Sequence, residues 1–273
     1  FLIGSEGDRR KRGALVIDST TGATIMPYTN TLDAAFLTKD KLLLMFNGEE
    51  EVPKFTFAIY SIERQDVLGR FRLPIKEANS GEFFTRPPST YGDKCLSTQV
   101  KRFLTDESLD ILPVELYLND MPPNPCFFVL SVTKLLRAME RLRESNPDRL
   151  TFEWDEWGPD ITRFLPFQRM SPPSSRPTFG SRMAVFYTHE SEEPLLSNRK
   201  IAILDFNPRP IKRRKVEETR AENIVIVDYE TEWKGPQDDP VIKSRLPYRI
   251  LRKDWLADGD DCHLEANTMI LRR

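Results

Sequence analysis

The chain has 273 residues, of which 40 are basic and 42 acidic, and its formal net charge is −2. Because it carries no excess of positive charge, we do not expect it to bind nucleic acid through general attraction to phosphates. Its apolar runs are much shorter than the ~18 residues that suggest a membrane-spanning helix, so a protein held in a membrane by helices is not predicted either.

The three cysteines, Cys95, Cys126 and Cys262, stand far apart and form no C-x-x-C pair. An odd number of cysteines without metal-site spacing argues against a disulfide framework, so we expect a reducing compartment, either cytoplasmic or nuclear. The chain begins at Phe1, with neither Met nor a signal-peptide pattern. We therefore expect residues 1–273 to be one interaction domain from the C-terminal part of a longer protein.

Five apolar segments predict β-strands along the chain. Each combines β-branched and aromatic residues with a polar or turn-forming group at its end, which is typical of a strand that enters a hairpin. The segments are residues 14–22, 55–62, 126–132, 200–208 and 223–229. Repetition of one strand-and-turn unit through a chain indicates a stacked or radial β architecture.

The spacing of the first two segments is close to that of a propeller blade. Placing Ile17 on Tyr60 gives a period within the ~40–45 residues of a four-stranded blade. Later segments lie further apart, and proline-rich insertions such as residues 121–125 and 171–177 fill the extra length. We predict an all-β fold, a partial or irregular β-propeller of about four blade-like units, with one or two short helices in insertions.

One segment has helical periodicity. Residues 133–144 place Leu135, Leu136, Met139 and Leu142 on one side of a helix, and proline follows at position 147. Such a helix could bind a partner, but the more economical interpretation is that its apolar face covers the neighbouring sheet.

Two tryptophans precede a Gly-Pro pair in the run from Trp154 through Trp157 to Arg163. In a structural interpretation, Gly158 and Pro159 reverse the chain while the indoles anchor it to a sheet. In a functional interpretation, Trp154, Trp157 and Arg163 form a binding site for a partner protein.

The sharpest change of composition lies at residues 209–220, which we expect to form an exposed basic loop. Within it, Lys212, Arg213, Arg214 and Lys215 fit a nuclear-localisation peptide as well as a solvated loop.

No catalytic pattern is present in the sequence. The motifs G-x-S-x-G and G-x-G-x-x-G and the P-loop are missing, and the only histidines are His189 and His263. A histidine-rich metal site is therefore excluded, and we predict neither a cofactor nor an enzymatic activity.

An ordered series of short motifs resembles the C-terminal region of fungal (basidiomycete) F-box proteins. It begins with W-x-x-W-G-P-x-x-T-R at residues 154–163 and continues with G-x-R at 180–182 and L-D-F-N-P at 204–208. It ends with L-P-Y-R at 246–249 and an acidic-then-apolar segment at 264–270. Each motif is short, so the resemblance depends on their order.

The resemblance implies a substrate-receptor region. In such proteins an F-box docks onto the Skp1 subunit of a cullin ubiquitin ligase, and a propeller-like region receives the protein substrate. This chain shows no F-box: residues 112–116 copy its opening, but the prolines at 121–125 interrupt any helix that should follow. We expect Skp1 to bind only through an F-box outside this chain. The alternative is a propeller-like scaffold that is unconnected to ubiquitin and for which a nuclear location is one of the two open compartments.

Overall fold

The computed structural model describes the chain in segments between residues 13 and 272. These segments are residues 13–17, 21–22, 24–29, 31–46, 55–75, 78–83, 110–118, 125–165, 170–171, 178–187, 200–209, 211, 224–234, 241–256, 261–264 and 269–272. In them the protein is mostly β, with two helices and several sheets, none of which closes on itself. The predicted all-β class is confirmed.

The first sheet is an antiparallel meander that follows a hairpin. The hairpin consists of β1 (Gly13–Ile17) and β2 (Thr24–Thr29). The meander consists of β3 (Thr31–Phe36), β4 (Lys41–Phe46), β5 (Thr56–Ser61) and β6 (Asp66–Arg72), and the short β10 (Thr151–Phe152) joins β6 in parallel. The four apolar residues at 42–45 of β4 are fully buried, as expected for an uninterrupted apolar strand covered on both faces.

The second sheet contains three consecutive strands and one that returns after both helices. Its strands are β7 (Ala78–Phe83), β8 (Ile111–Leu118), β9 (Pro125–Ser131) and β11 (Thr162–Leu165), in the order β11-β9-β8-β7. Between β9 and β11 lie helix α1 (Val132–Ser145), β10 and helix α2 (Trp154–Ile161). Helix α1 confirms the helix predicted for residues 133–144, and Leu135 and Met139 are buried in the core.

The third sheet is built from the C-terminal half of the chain. Its strands are β12 (Met170–Ser171), β13 (Thr178–Phe179), β14 (Arg182–Tyr187), β15 (Lys200–Asp205), β16 (Ile224–Val227) and β19 (Tyr248–Leu256). The order is β12-β14-β15-β19-β16, with β13 also paired to β14. Two further antiparallel pairs are β17 (Thr231–Trp233) with β18 (Ile242–Ser244), and β20 (Asp261–Leu264) with β21 (Met269–Arg272).

The second sheet lies between the other two. On β9, Phe128 and Leu130 belong to the apolar cluster shared with the first sheet and both helices. Phe127 and Val129 point to the opposite side and belong to the cluster shared with the third sheet. Because successive side chains of a strand alternate between its faces, one apolar run supplies both layers of the core.

All five predicted strands exist, but only two of them enter hairpins. Strand β1 pairs with β2, and β5 pairs with β6. Strand β9 leads directly into helix α1, β15 pairs with β14 and the distant β19, and β16 also pairs with β19. The hairpin prediction is wrong for these three because the polar group after a strand does not determine which strand pairs with it.

The proposed alignment of Ile17 with Tyr60 does not join equivalent positions. Ile17 ends the first strand of the two-stranded hairpin, whereas Tyr60 lies in β5, the third strand of the four-stranded meander. The apparent period therefore reflects two similar strands at different places in their sheets.

Candidate functional site

The tryptophan motif forms a helix and not the predicted turn. Trp154, Trp157, Gly158 and Ile161 form the buried side of α2, at the spacing of a helix that packs one face on the core. The helix begins with a capping box, in which Glu153 accepts from the backbone N–H of Glu156 and Glu156 accepts from that of Glu153. Pro159 lies within its second half, so Gly158 and Pro159 do not reverse the chain.

Close packing inside α2 explains the glycine of this motif. The Trp154 indole lies over Gly158, and a Cβ atom at position 158 would overlap its six-membered ring. The rings of Trp154 and Trp157 meet edge to face, with 5.1 Å between centroids. The Trp157 Nε1 donates to the Arg72 carbonyl at 3.3 Å. Trp154 and Trp157 are 7% and 2% exposed, so in this structure both indoles belong to the core.

Ion pairs hold the N-terminal end of α2. Arg149 donates two hydrogen bonds of 2.6 Å to the two carboxylate oxygens of Glu156, and Arg72 Nη1 donates to Glu153 at 2.9 Å. The hydrogen bond from Arg149 lowers the pKa of Glu156, and partial burial opposes this only in part. The ionised form of Glu156 is therefore favoured in the folded protein.

Arg163 of β11 is a fully buried cation that donates hydrogen bonds to neutral oxygen atoms, and the Asp228 carboxylate acts on it through space. Its Nε donates to the Leu246 carbonyl at 2.7 Å, and its Nη1 donates to the Tyr229 carbonyl at 3.1 Å and to Thr231 Oγ1 at 2.8 Å. The guanidinium carbon lies 5.4 Å from the centroid of the Tyr248 ring. Burial lowers the pKa of Arg163, because a low-dielectric environment disfavours the charged form.

Asp205, at the end of β15, is the second centre of this buried polar network. Its side chain is 1% exposed and accepts from Ser181 Oγ at 3.1 Å and the Asn207 backbone N–H at 3.0 Å. Arg249 donates to Oδ2 through Nε at 2.9 Å and Nη2 at 2.6 Å. Strand pairing places Arg182, Asp205 and Arg249 opposite one another across β14, β15 and β19.

The network brings together four motifs of the sequence series. Arg163 of W-x-x-W-G-P-x-x-T-R bonds Leu246 of L-P-Y-R. Asp205 of L-D-F-N-P bonds Ser181 within G-x-R and Arg249 of L-P-Y-R. Sequence reasoning missed the roles of Asp205, Ser181 and Arg249, although the order of the motifs had already singled out the segments that contain them. Through these hydrogen bonds, the network joins strands from distant parts of the chain.

The predicted nuclear-localisation residues lie outside the described residues, namely Lys212, Arg213, Arg214 and Lys215. At the start of the same segment, Arg209 is exposed and Ile211 is buried. The predicted exposed loop at 209–220 therefore begins beside a side chain that packs into the protein.

A search of the described residues found neither a group of three or more possible metal ligands nor a helix long and apolar enough to cross a membrane. The sequence matches no protein-family model, and a search of curated proteins found no significant match.

Proposed function

We propose that the protein is a protein-interaction module, similar to the substrate-receptor region of an F-box ubiquitin ligase adaptor. The observation that carries the proposal is the distribution of exposed apolar side chains in the described residues. Of the four large ones, three lie between residues 225 and 241: Val225 (39% exposed), Tyr229 (62%) and Val241 (47%). Exposed aromatic side chains such as that of Tyr229 are enriched in protein-binding sites.

The buried network supports this proposal because it holds the same part of the chain in place. Arg163 donates to the Tyr229 carbonyl and to the hydroxyl of Thr231. The hydroxyls of Thr231 and Ser244 are themselves 3.2 Å apart, which links β17 to β18. A surface that is ordered before binding loses less conformational entropy when a partner arrives, so the fixed backbone suits Tyr229 to act as an anchor.

The resemblance to F-box proteins is compatible with a shared buried framework that carries different exposed surfaces. The motif residues Trp154, Trp157, Arg163 and Asp205 are buried and pair with other parts of the chain. Exposed loops on a common scaffold can vary in the partner that they bind. On this proposal the substrate is recognised by exposed side chains and not by the shared motifs.

A fusion experiment tests the ligase-adaptor role. The full chain is joined to an F-box that docks onto Skp1, and protein abundance is measured by quantitative mass spectrometry in a fungal host. We expect a small set of proteins to decrease and to recover when the proteasome is inhibited. The F-box alone is the control, and an identical response to it would overturn the proposal. Stable partners whose abundance does not decrease would favour the scaffold alternative.

For the architecture, we propose an irregular propeller. The support is that three successive sheets pack face to face in chain order, with the second sheet between the others. A crystal structure of the protein tests this proposal. Sheets related by similar rotations about one central axis are expected, whereas sheets stacked as simple parallel layers would contradict a propeller.

A further inference from the structure

Strand β16 (Ile224–Val227) forms an edge of the third sheet, and in the described residues it pairs only with β19. In an antiparallel edge strand, alternate residues direct their N–H and C=O groups away from the sheet. Natural edges are usually protected by charged residues, proline or a bulge. Strand β16 reads Ile-Val-Ile-Val and its register with β19 is continuous, so none of these devices is present in the strand.

Both faces of β16 are apolar beside this edge. Val225 and Val227 share one face, where Val225 is 39% exposed and Val227 is buried. Ile224 and Ile226 share the other face, and each is half-buried. A strand added here would therefore meet apolar side chains on both faces. Just beyond β16, Tyr229 is exposed.

We infer that this edge binds a short extended segment of a partner protein, which adds to the third sheet as a strand beside β16. The inference rests on the proposed function and names its binding surface. The segment that fits is about four uncharged apolar residues long.

The length of β16 favours a peptide segment over a second copy of the chain. Four residues span about 13 Å of strand. Pairing of two such strands buries far less than the ~1,200 Å² of a stable protein interface. A single extended segment needs no large interface, because its main-chain hydrogen bonds supply affinity and its side chains supply specificity.

The test uses a labelled peptide of sequence Lys-Val-Ile-Val-Ile-Lys and the full chain. We expect fluorescence anisotropy to show saturable binding, and hydrogen exchange to show slower exchange at residues 224–227. The matched control peptide carries N-methyl groups on alternate residues, which block main-chain bonding but keep the side chains. We expect it not to bind, and equal binding of both peptides would overturn strand addition.

Two protein variants complete the test. Val225→Lys places a charge on the edge and should weaken peptide binding by about tenfold or more. Leu150→Lys, at the exposed apolar residue that lies outside residues 225–241, should leave binding unchanged. If both variants weaken peptide binding equally, the inference is contradicted. It is also contradicted if hydrogen exchange at residues 224–227 slows when only the protein concentration is raised, because a second copy of the chain would then cover the edge. If the F-box fusion depletes proteins but the peptide does not bind, only this inference fails; if neither occurs, the proposed function fails with it.

Discussion

At Arg163, a buried cation donates to three neutral oxygen atoms from two later parts of the chain, residues 229–231 and Leu246. Its second terminal nitrogen, Nη2, has no hydrogen-bond partner in the structure as described. Breaking such a buried site leaves carbonyl groups without donors, and each unsatisfied buried group costs about 1–3 kcal/mol. We therefore regard Arg163 as a residue that joins β11 to the segments around Tyr229 and Leu246.

Replacing Arg163 should destabilise the protein. We expect Arg163→Leu to lower the free energy of unfolding by about 2–4 kcal/mol, because the Leu246 and Tyr229 carbonyls lose their donor. Arg163→Lys, which keeps a charge and donors, should cost less and provides a second variant if the first does not fold. The measurement is urea denaturation. Arg137→Leu, at an exposed position of helix α1, is the control, with a change of about 0.5 kcal/mol or less expected; equal losses at both positions would contradict this role.

At Gly158, the direction of the stability change on substitution by alanine tests the packing of Trp154. In an exposed helix, glycine to alanine usually stabilises by about 1 kcal/mol, but here the Cβ would overlap the Trp154 ring. We expect Gly158→Ala to destabilise the protein by about 1–3 kcal/mol. In a Trp154→Ala background the same change should be neutral or stabilising. Thermal unfolding of the four proteins measures this coupling, and additive effects would show that the two residues do not interact.

At the scale of an element, helix α2 shows how ion pairs and a capping box act on a short helix. Because Arg149 lowers the pKa of Glu156 in the folded protein, this group binds fewer protons when folded than when unfolded. Its contribution to stability is present above its unfolded pKa and is lost as the pH falls. The loss of this stability should begin at about pH 4.3, which is the ordinary pKa of glutamate.

Glu156→Gln tests this pH dependence. The amide oxygen can still accept the Glu153 backbone N–H, but the charge is removed. We expect the urea midpoint of the wild type to fall more steeply than that of the variant as the pH is lowered from 7 to below 4. Parallel pH profiles for the two proteins would show that the Arg149 pair does not contribute to stability.

Strand β8 explains the F-box-like residues 112–116. Strand β8 lies between β7 and β9, and its Leu112, Val114 and Leu116 are buried in the core that the second sheet shares with the first sheet and the helices, whereas an F-box would require helices. We therefore expect the chain alone not to bind purified Skp1 in a pull-down. The F-box fusion is the positive control, and stoichiometric capture of the unfused chain would contradict this prediction.

At the scale of the whole molecule, the first and second sheets approach closely at Gly81. A Cβ atom on Gly81 of β7 would overlap the sulfur of Met45 and press on Leu116, so glycine permits the contact between the first and second sheets. Phe128 and Phe164 stack in the second sheet with 4.7 Å between ring centroids. Between the first and second sheets, Phe57 contacts Phe128 with 6.1 Å between ring centroids, so aromatic packing joins these two layers.

The basic segment gives a prediction for the cellular behaviour of the whole protein. If Lys212, Arg213, Arg214 and Lys215 form an import signal, changing all four to alanine should move a fluorescent fusion from the nucleus to the cytoplasm. Changing Lys39 and Lys243, which lie elsewhere, is the control for loss of positive charge. An unchanged distribution after the fourfold substitution would contradict the import role.

The sequence predicted elements whose signals are local. The β-branched and aromatic runs identify β5, β9 and β15, and the apolar spacing in residues 133–144 identifies α1. Helix α2 was missed because Gly158 and Pro159 favour a turn and because its N-cap is a glutamate, Glu153, and not one of the usual capping residues. Its local signals were the Glu153–Glu156 spacing of the capping box and the helical spacing of Trp154, Trp157 and Ile161.

By itself, the sequence determined where the chain extends and where α1 forms, since these depend on neighbouring residues. Tertiary structure decided which strands pair, because β15 finds β19 across a long intervening segment and nothing in its own residues specifies that partner. It also decided the environment of Arg163, whose acceptors come from residues 229, 231 and 246. From sequence alone, an arginine without a nearby partner is expected to be exposed. Arg163 can be buried only because folding brings distant carbonyl groups to its side chain.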